Sequence, residues 1–180
     1  VLWNGHFDYN RTFDGKHNVS AMLVAGAFRQ TLAGEYHRTA NANLGVQAAY
    51  NYDHKYYFDF SGAYVHSAKL APGHRGAFSP SVTLGWNVAN ESFLKDSDAV
   101  NQLTLSVSAS EINQDIDITG YYLYAPTWAT DRWGYGWADG EDSQYAVSTR
   151  GANDLLSFIK RREVSANLRG AFFNRSLTFD

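Results

Sequence analysis

Alternation of apolar and polar residues over long stretches is the feature that most constrains how this chain can fold. In residues 41–57, NANLGVQAAYNYDHKYY, every second position from Ala42 to Tyr52 is apolar or aromatic, and the positions between them are polar or small. A period of two places these two sets on opposite faces of a β-strand. The stretch predicts a strand whose apolar face meets either a packed core or lipid.

The same pattern recurs, and only residues 18–32 are apolar on both faces for several positions. The polar faces hold Ser, Thr, Asn, Gln and Gly far more than Lys and Glu, whereas exposed sheets of soluble proteins carry many charges. Most of the stretches reach the roughly 9 to 11 residues of a transmembrane β-strand. Lipid outside and a hydrated lumen inside fit both observations. The further alternating stretches are 3–10, 55–66, 79–88, 102–110 and 163–172.

Composition supports an all-β chain and removes several function classes. Aromatic residues make up 16% and charged residues 18% of the 180 residues, a mixture that suits pleated strands. The net charge of −3 argues against a nucleic-acid partner, and the absence of cysteine excludes disulfides. Both ends, VLW and SLTFD, fall inside predicted strands, so we expect a segment of a longer polypeptide.

Turn positions predict which connections share a side of the sheet. Short turns are expected at 14–15, 53–54 and 174–175. If they share one side, so does 89–101, and residues 158–172 must run toward it. Everything from 111 to 157 then leaves and returns on the opposite side, and YYLY at 121–124 is not a membrane crossing. Short turns on one side and long loops on the other are typical of outer-membrane barrels.

Aromatic residues cluster near the short-turn ends of three predicted strands. Tyr50, Tyr52, Tyr56, Phe58 and Trp86 would lie at about one level. Any one of them could be ordinary packing, but five together indicate the aromatic girdle of a membrane interface.

Residues 78–95, FSPSVTLGWNVANESFLK, carry a motif that resembles a family signature. The signature is the Phe-Pro-Ser-x-Ser-Leu-Gly-Trp-x-(Ile/Val)-x-x-Glu-x-Phe-(Leu/Met)-Lys pattern of SusC/RagA-type TonB-dependent outer-membrane transporters. Three flanking segments are also similar to family patterns and occur in the expected order. The segment before the motif is AAYNYDHKYYFDFSGAYVH, and the two after it are NQLTLSVSASEINQDI and LSFIKRREVSANLRGAFFNRSLTFD. The chain departs from the signature at Ser79, which separates Phe78 from Pro80, and in the loop 66–77.

The resemblance implies a transmembrane antiparallel β-barrel of 22 strands with a plug domain in its lumen. Residues 1–180 would supply seven to eight of these strands, and the plug would lie outside them. The family imports oligosaccharides or peptides across the outer membrane of Gram-negative bacteria, chiefly Bacteroidota. It uses energy delivered by TonB and a SusD-like surface lipoprotein, and it is neither an enzyme nor cofactor-dependent.

The excursion between the strands contains the candidate recognition residues. Its segment 128–142, WATDRWGYGWADGED, is dense in aromatic and acidic residues. The aromatic rings could bind a sugar face or a partner protein, with contact to the lipoprotein lid placed ahead of direct ligand contact. The loop could equally bury its own aromatics. The candidates are Trp128, Trp133, Tyr135 and Trp137.

Other candidate sites carry less weight. Asp139, Glu141 and Asp142 lack the ligand spacing of a calcium loop, so a solvated acidic loop is favoured. The six His show no zinc spacing, and no nucleophile motif predicts catalysis. We expect Asp59, Asn167 and Arg169 to face the lumen, where they hydrate the wall or contact plug or solute.

Two other functions stay open on the sequence alone. One is a complete eight-stranded outer-membrane barrel with a structural or adhesion role. The other is a soluble carbohydrate-binding β-domain, against which the strand length and the uncharged polar faces argue.

Overall fold

A computed structural model describes residues 2–31, 38–131 and 145–180 of this all-β chain. In these ranges no helix has the length and apolar character needed to span a membrane. A single 3-10 turn covers Val88–Asn90. The strands are β1 (Leu2–Phe13), β2 (His17–Thr31), β3 (Arg38–Tyr52), β4 (Tyr56–Ser67), β5 (Gly76–Asn87), β6 (Val100–Gln114), β7 (Thr127–Asp131), β8 (Tyr145–Arg150), β9 (Ile159–Phe172) and β10 (Leu177–Phe179).

Eight of the strands form one antiparallel sheet in the order β1-β2-β3-β4-β5-β6-β9-β10, and β7 and β8 form a separate hairpin. Each long strand pairs with its neighbour in sequence except at β6 and β9, which join across the excursion. Among the described strands β1 and β10 have no pairing with each other. The sheet is therefore an open wall, and it gives no support to a small closed barrel of eight strands.

The short turns lie at one end of this wall, as the turn parity predicts. Asp14, Asp53 and Asn174 have positive φ angles, the conformation that tight turns require. The turns and the β5–β6 connection are joined by backbone hydrogen bonds of 2.7 to 2.9 Å: Asp53 N–H to Lys16 O, Asn87 N–H to Lys55 O, and Phe173 N–H to Ala99 O. We call this the short-turn end and the opposite one the long-loop end.

The structure corrects several boundaries. The strand expected at 102–110 runs from Val100 to Gln114, so the excursion begins at 115 and not at 111. The strand expected over 79–88 starts three residues earlier, and Val88 belongs to the 3-10 turn. The excursion also contains β7 and β8, which the alternation does not predict because each is only five or six residues long.

Strand pairing gathers the apolar positions onto one face of all eight strands. Leu44 lies opposite Tyr64, Tyr64 opposite Phe78, and Leu105 opposite Leu168. These side chains are exposed because no protein layer covers them. Depressions in the wall are lined mainly by the opposite, polar face, for example around Gln102, Thr104, Ser106, Asn167 and Arg169. The polar face is therefore concave and the apolar face convex.

The structure explains why residues 18–32 are apolar on both faces. Met22 and Val24 point to the concave face, where they line a depression of about 550 Å³ together with Ala63, Val65 and Ile112. This is an apolar area in an otherwise polar wall. The convex side of β2 belongs to the exposed apolar face of the sheet, and its concave side borders this apolar depression.

Glycines on the convex face are covered by aromatic rings from the next strand. A Cβ added at Gly62 would meet the Phe78 ring at 2.4 Å, and one at Gly76 would meet the Tyr64 hydroxyl at 2.0 Å. A Cβ at Gly170 would meet the Phe179 ring at 2.5 Å. An aromatic side chain lying across a strand glycine restores the packing that the glycine lacks and pins the register.

Candidate recognition surface at the long-loop end

A small hydrophobic core lies where the long connections fold together. Leu70 from the β4–β5 loop is fully buried, and Ile118 and Phe158 from the two ends of the excursion pack on it. Val65 and Ala77 from the upper wall, with Leu123 and Leu156, complete the cluster. We call this cluster the loop platform. It anchors the connections to the rim on the concave side, since Val65 and Ala77 point there.

Polar contacts fix the platform to the wall. The Ser67 hydroxyl donates a short hydrogen bond to the Asp115 carboxylate, and Lys69 Nζ donates to the Asp115 carbonyl at 3.4 Å. Arg75 Nε donates to the Leu70 carbonyl at 2.9 Å. Buried Asn113 donates from Nδ2 to the Phe78 carbonyl at 2.8 Å. These bonds hold both ends of the β4–β5 loop against the start of the excursion.

The β7–β8 hairpin rises from this platform and is clamped at its base by one arginine. Arg150 donates from Nη2 to the Tyr122 carbonyl at 3.0 Å and to the Ala125 carbonyl at 3.2 Å. The Thr127 and Thr149 hydroxyls are 2.8 Å apart across the base. Tyr122 has a φ of 59°, so the YYLY segment forms a tight turn and not a strand of the wall.

Of the four aromatic candidates, only Trp128 falls within the described residues. It lies on β7 opposite Ser148, and 65% of its surface is exposed. Val147 lies on the other face of the hairpin, opposite Ala129. Trp133, Tyr135 and Trp137, and the acidic residues Asp139, Glu141 and Asp142, lie outside the described residues. Trp128 therefore presents an exposed indole ring near the base of the hairpin.

The three side chains expected in the lumen lie on the concave face. Asn167 and Arg169 border a depression of about 360 Å³, and Arg169 pairs with Asp180 at 2.8 Å. Asp59 borders a separate depression of about 240 Å³, with Asn10, Asn18 and Asn51 among its other lining residues. The structure therefore separates Asp59 from the other two, and both depressions offer mainly neutral hydrogen-bonding groups.

A carboxylate at the short-turn end links two of the clustered aromatic residues to the β5–β6 loop. Glu91 accepts hydrogen bonds from the Tyr56 hydroxyl at 2.7 Å and from the Trp86 indole N–H at 3.0 Å. Lys55 Nζ lies 3.7 Å from the same carboxylate. The bond from Tyr56 lowers the pKa of Glu91 most, followed by the bond from Trp86, and the charge of Lys55 lowers it further.

Sequence reasoning missed Arg150, Glu91 and the platform residues. Arg150 ends the short strand β8, and no spacing rule connects it with Tyr122. Glu91 stands within the quoted FSPSVTLGWNVANESFLK motif, so its place there was the available signal. Leu70 and Phe158 lie 88 positions apart in sequence, and only the folded sheet brings them together.

Comparison with known proteins finds similarity to TonB-dependent receptors. No protein-family model matches the chain. The chain is 26% identical over 162 residues to TonB-dependent receptor P3 of Formosa agariphila, covering 88% of the chain and 16% of that protein. It is 26% identical over 213 aligned residues to TonB-dependent receptor SusC of Bacteroides thetaiotaomicron, covering 98% of the chain and 21% of SusC. The chain thus spans about a fifth of the length of these relatives.

Solved structures agree with these relatives on the fold. The RagAB peptide importer in its open-open state superposes with a TM-score of 0.79 at 18% identity. Its closed-closed state gives 0.76, and 98% of this chain and 22% of that chain are covered. The resemblance to SusC/RagA-type TonB-dependent receptors is confirmed, and the chain corresponds to a part of their β-barrel.

Proposed function

We propose that the polypeptide carrying this chain is an outer-membrane importer that takes up oligosaccharides or peptides with energy from TonB. The observation that carries the proposal is the wall itself, which is apolar on its convex face and neutral and polar on its concave face. In a bilayer the convex face contacts acyl chains, because each strand between β1 and β10 is hydrogen-bonded to a neighbour on both sides. The concave face then lines a hydrated conduit, and the protein transports rather than catalyses.

The long-loop end is the outer surface in this proposal. Its platform is a packed base, and the β7–β8 hairpin is a projecting arm with an exposed indole at Trp128. A few residues carry most of the binding energy at protein interfaces, and Trp and Tyr are enriched among them. We assign the hairpin to contact with a SusD-like surface lipoprotein, which would cover the conduit and deliver substrate.

Uptake measurements test the transport proposal. Cells that produce the full polypeptide are supplied with labelled oligosaccharides and, separately, labelled peptides, with and without TonB. We expect uptake of one substrate class, and its loss in cells without TonB. Uptake that is the same in cells without the polypeptide would overturn the proposal.

Two hairpin variants test the lipoprotein assignment. Trp128→Ala removes the exposed ring, whereas Val147→Ala trims a side chain on the other face of the same hairpin. We expect Trp128→Ala to weaken lipoprotein binding about tenfold or more, as truncating an aromatic hot spot does. Equal effects of the two variants would remove Trp128 from the interface.

A further inference from the structure

A pair of cations lies where the apolar belt of the convex face ends. From Phe172 to Val164 the outward positions of β9 are apolar or glycine. The next two outward positions toward the long-loop end are Arg162 and Lys160, which pair with Glu111 and Asn113 of β6. Both cations are exposed, Arg162 to 75% and Lys160 to 57%.

The height of the belt places these cations at a membrane border. Eight residue steps of strand cover about 27 Å, since a strand rises about 3.4 Å per residue. A strand tilted by about 40° then crosses roughly 21 Å of bilayer, close to the apolar band of about 25 Å on membrane barrels. Arg162 and Lys160 therefore stand at the level where acyl chains end and headgroups begin.

A depression of about 410 Å³ opens beside Lys160. Lys160, Glu111 and Phe78 line it on the convex side, His74 and Ser157 line it from the adjoining loops, and Ala77 and Phe158 of the loop platform lie at its inner side. Glu111 is the acid of the group, with Arg162 Nε at 2.7 Å and Lys160 Nζ at 3.9 Å. Two cations against one carboxylate leave a net positive charge, and an arginine fork suits a phosphate.

From this arrangement we propose that Arg162, Lys160 and the neighbouring depression bind the phosphate of a lipid headgroup in the leaflet on the long-loop side. The acyl chains of that lipid then lie along the apolar belt below, over Val164 and Ala109. Basic residues beside a membrane surface attract anionic lipid, whereas the same residues inside the lumen would have no lipid to meet. The proposal rests on the membrane placement of the proposed function.

Arg161 provides a matched control because it is adjacent in sequence and lies on the opposite face. Alternation turns its side chain to the concave side with Glu163, whose carboxylate is 3.4 Å away. Arg161→Gln and Arg162→Gln remove the same charge from adjacent positions. Only the second of them touches the proposed headgroup site.

The test uses the full polypeptide in detergent, titrated with monophosphorylated lipid A and with the same lipid stripped of phosphate. Bound lipid is counted by native mass spectrometry. We expect Arg162→Gln and Lys160→Gln each to weaken binding of the phosphorylated lipid about fivefold, at roughly 1 kcal/mol per cation. Arg161→Gln should leave it unchanged, and Glu111→Gln should strengthen it because the competing carboxylate is gone.

Three results would overturn the site. One is equal retention of the phosphate-free lipid, the second is an equal loss in Arg161→Gln, and the third is complete displacement by inorganic phosphate at the concentration of the lipid. Each variant is first checked for membrane insertion. A wild-type protein that does not insert contradicts the proposed function, whereas an inserted protein without phosphate selectivity contradicts only this site.

Discussion

At the scale of single residues, the convex face is organised by pairs of glycine and aromatic ring. Gly62 with Phe78 and Gly76 with Tyr64 lie across β4 and β5, and Gly170 with Phe179 repeats the arrangement across β9 and β10. A ring that lies flat across a neighbouring strand fixes the register of that strand and smooths the surface facing outward. These glycines are therefore packing positions and not points of chain flexibility.

Replacing Gly62 by alanine should destabilise the wall by about 1 kcal/mol, the cost of forcing the Phe78 ring off its rotamer. Gly45→Ala is the control, because a Cβ there meets nothing closer than 3.9 Å. Alanine at position 45 should be neutral or slightly stabilising, since glycine inside a strand costs entropy. The measurement is the urea midpoint of the folded protein in detergent, and equal midpoints for the two variants would contradict the packing role.

The lowered pKa of Glu91 predicts a specific dependence on pH. Because the carboxylate is favoured in the folded state, its stabilisation is fully present above the ordinary carboxyl pKa of about 4.3. It is lost as pH falls through the lower folded pKa. We expect Glu91→Gln to be less stable than wild type at pH 7 and to lose less stability than wild type between pH 5 and pH 3 (about two pH units).

The melting temperature of the protein, measured by tryptophan fluorescence at a series of pH values, checks this prediction. Asp96→Asn is the matched control, since Asp96 lies in the same loop and is exposed. This variant should lose as much stability between about pH 5 and pH 3 as the wild type does. If Glu91→Gln also loses as much stability as the wild type over this pH range, the Glu91 carboxylate is not the group responsible.

At the scale of elements, the β7–β8 hairpin depends on its base. Arg150 makes three hydrogen bonds to two carbonyl groups: one to Tyr122 of the YYLY turn, and two to the adjacent Ala125. Arg150→Ala would leave these carbonyls to water and release the hairpin from the platform. We expect amide hydrogen exchange to rise across 127–131 and 146–150 and to stay constant in β3 and β4.

Arg75→Ala is a useful comparison for that experiment. Arg75 donates to the Leu70 carbonyl inside the platform, so its loss should raise exchange in the loop 68–75 and leave the hairpin protected. If both variants loosen the hairpin equally, the platform and the hairpin form one unit, and the clamp at Arg150 has no separate role.

How far the sequence predicts the structure depends on how local the cause is. The faces of Leu44, Val107 and Leu168 follow from alternation, because a period of two acts within each strand. The antiparallel direction of β9 relative to β6 follows from turn parity. The platform does not, because Leu70 and Phe158 carry no local pattern and meet only in the folded sheet. Strands β7 and β8 are also not predicted from the sequence, since five or six residues are too few to show a clear alternation.

At the scale of the whole molecule, the burial pattern is inverted relative to a soluble domain. The sheet exposes apolar side chains on its convex face, and the buried cluster of the described residues lies in the loops. In the proposed membrane placement, lipid supplies the apolar environment that a core supplies in a soluble domain. The wall and the platform are stabilised by different surroundings.

Adjacent substitutions test that inversion. Val107→Arg puts a charge on the convex face near the middle of the belt, whereas Ser106→Arg puts it on the concave face. On the lipid-facing side of a barrel such a charge costs about 2 to 4 kcal/mol at the midplane. We expect Val107→Arg to reduce the protein recovered folded in the outer-membrane fraction, and Ser106→Arg to have little effect. A convex face that tolerates arginine would not be facing lipid.

The joining of β6 to β9 across the excursion has a kinetic consequence. Strands β1 to β6 connect in sequence, so this part of the sheet can grow by successive hairpins, each closing a short loop. Strand β9 must instead find β6 over a separation of 45 positions, counted from Gln114 to Ile159, and longer loops close more slowly. The platform brings the two ends of that excursion together at Ile118 and Phe158. We expect its assembly to precede docking of β9 and to set the rate at which the wall is completed.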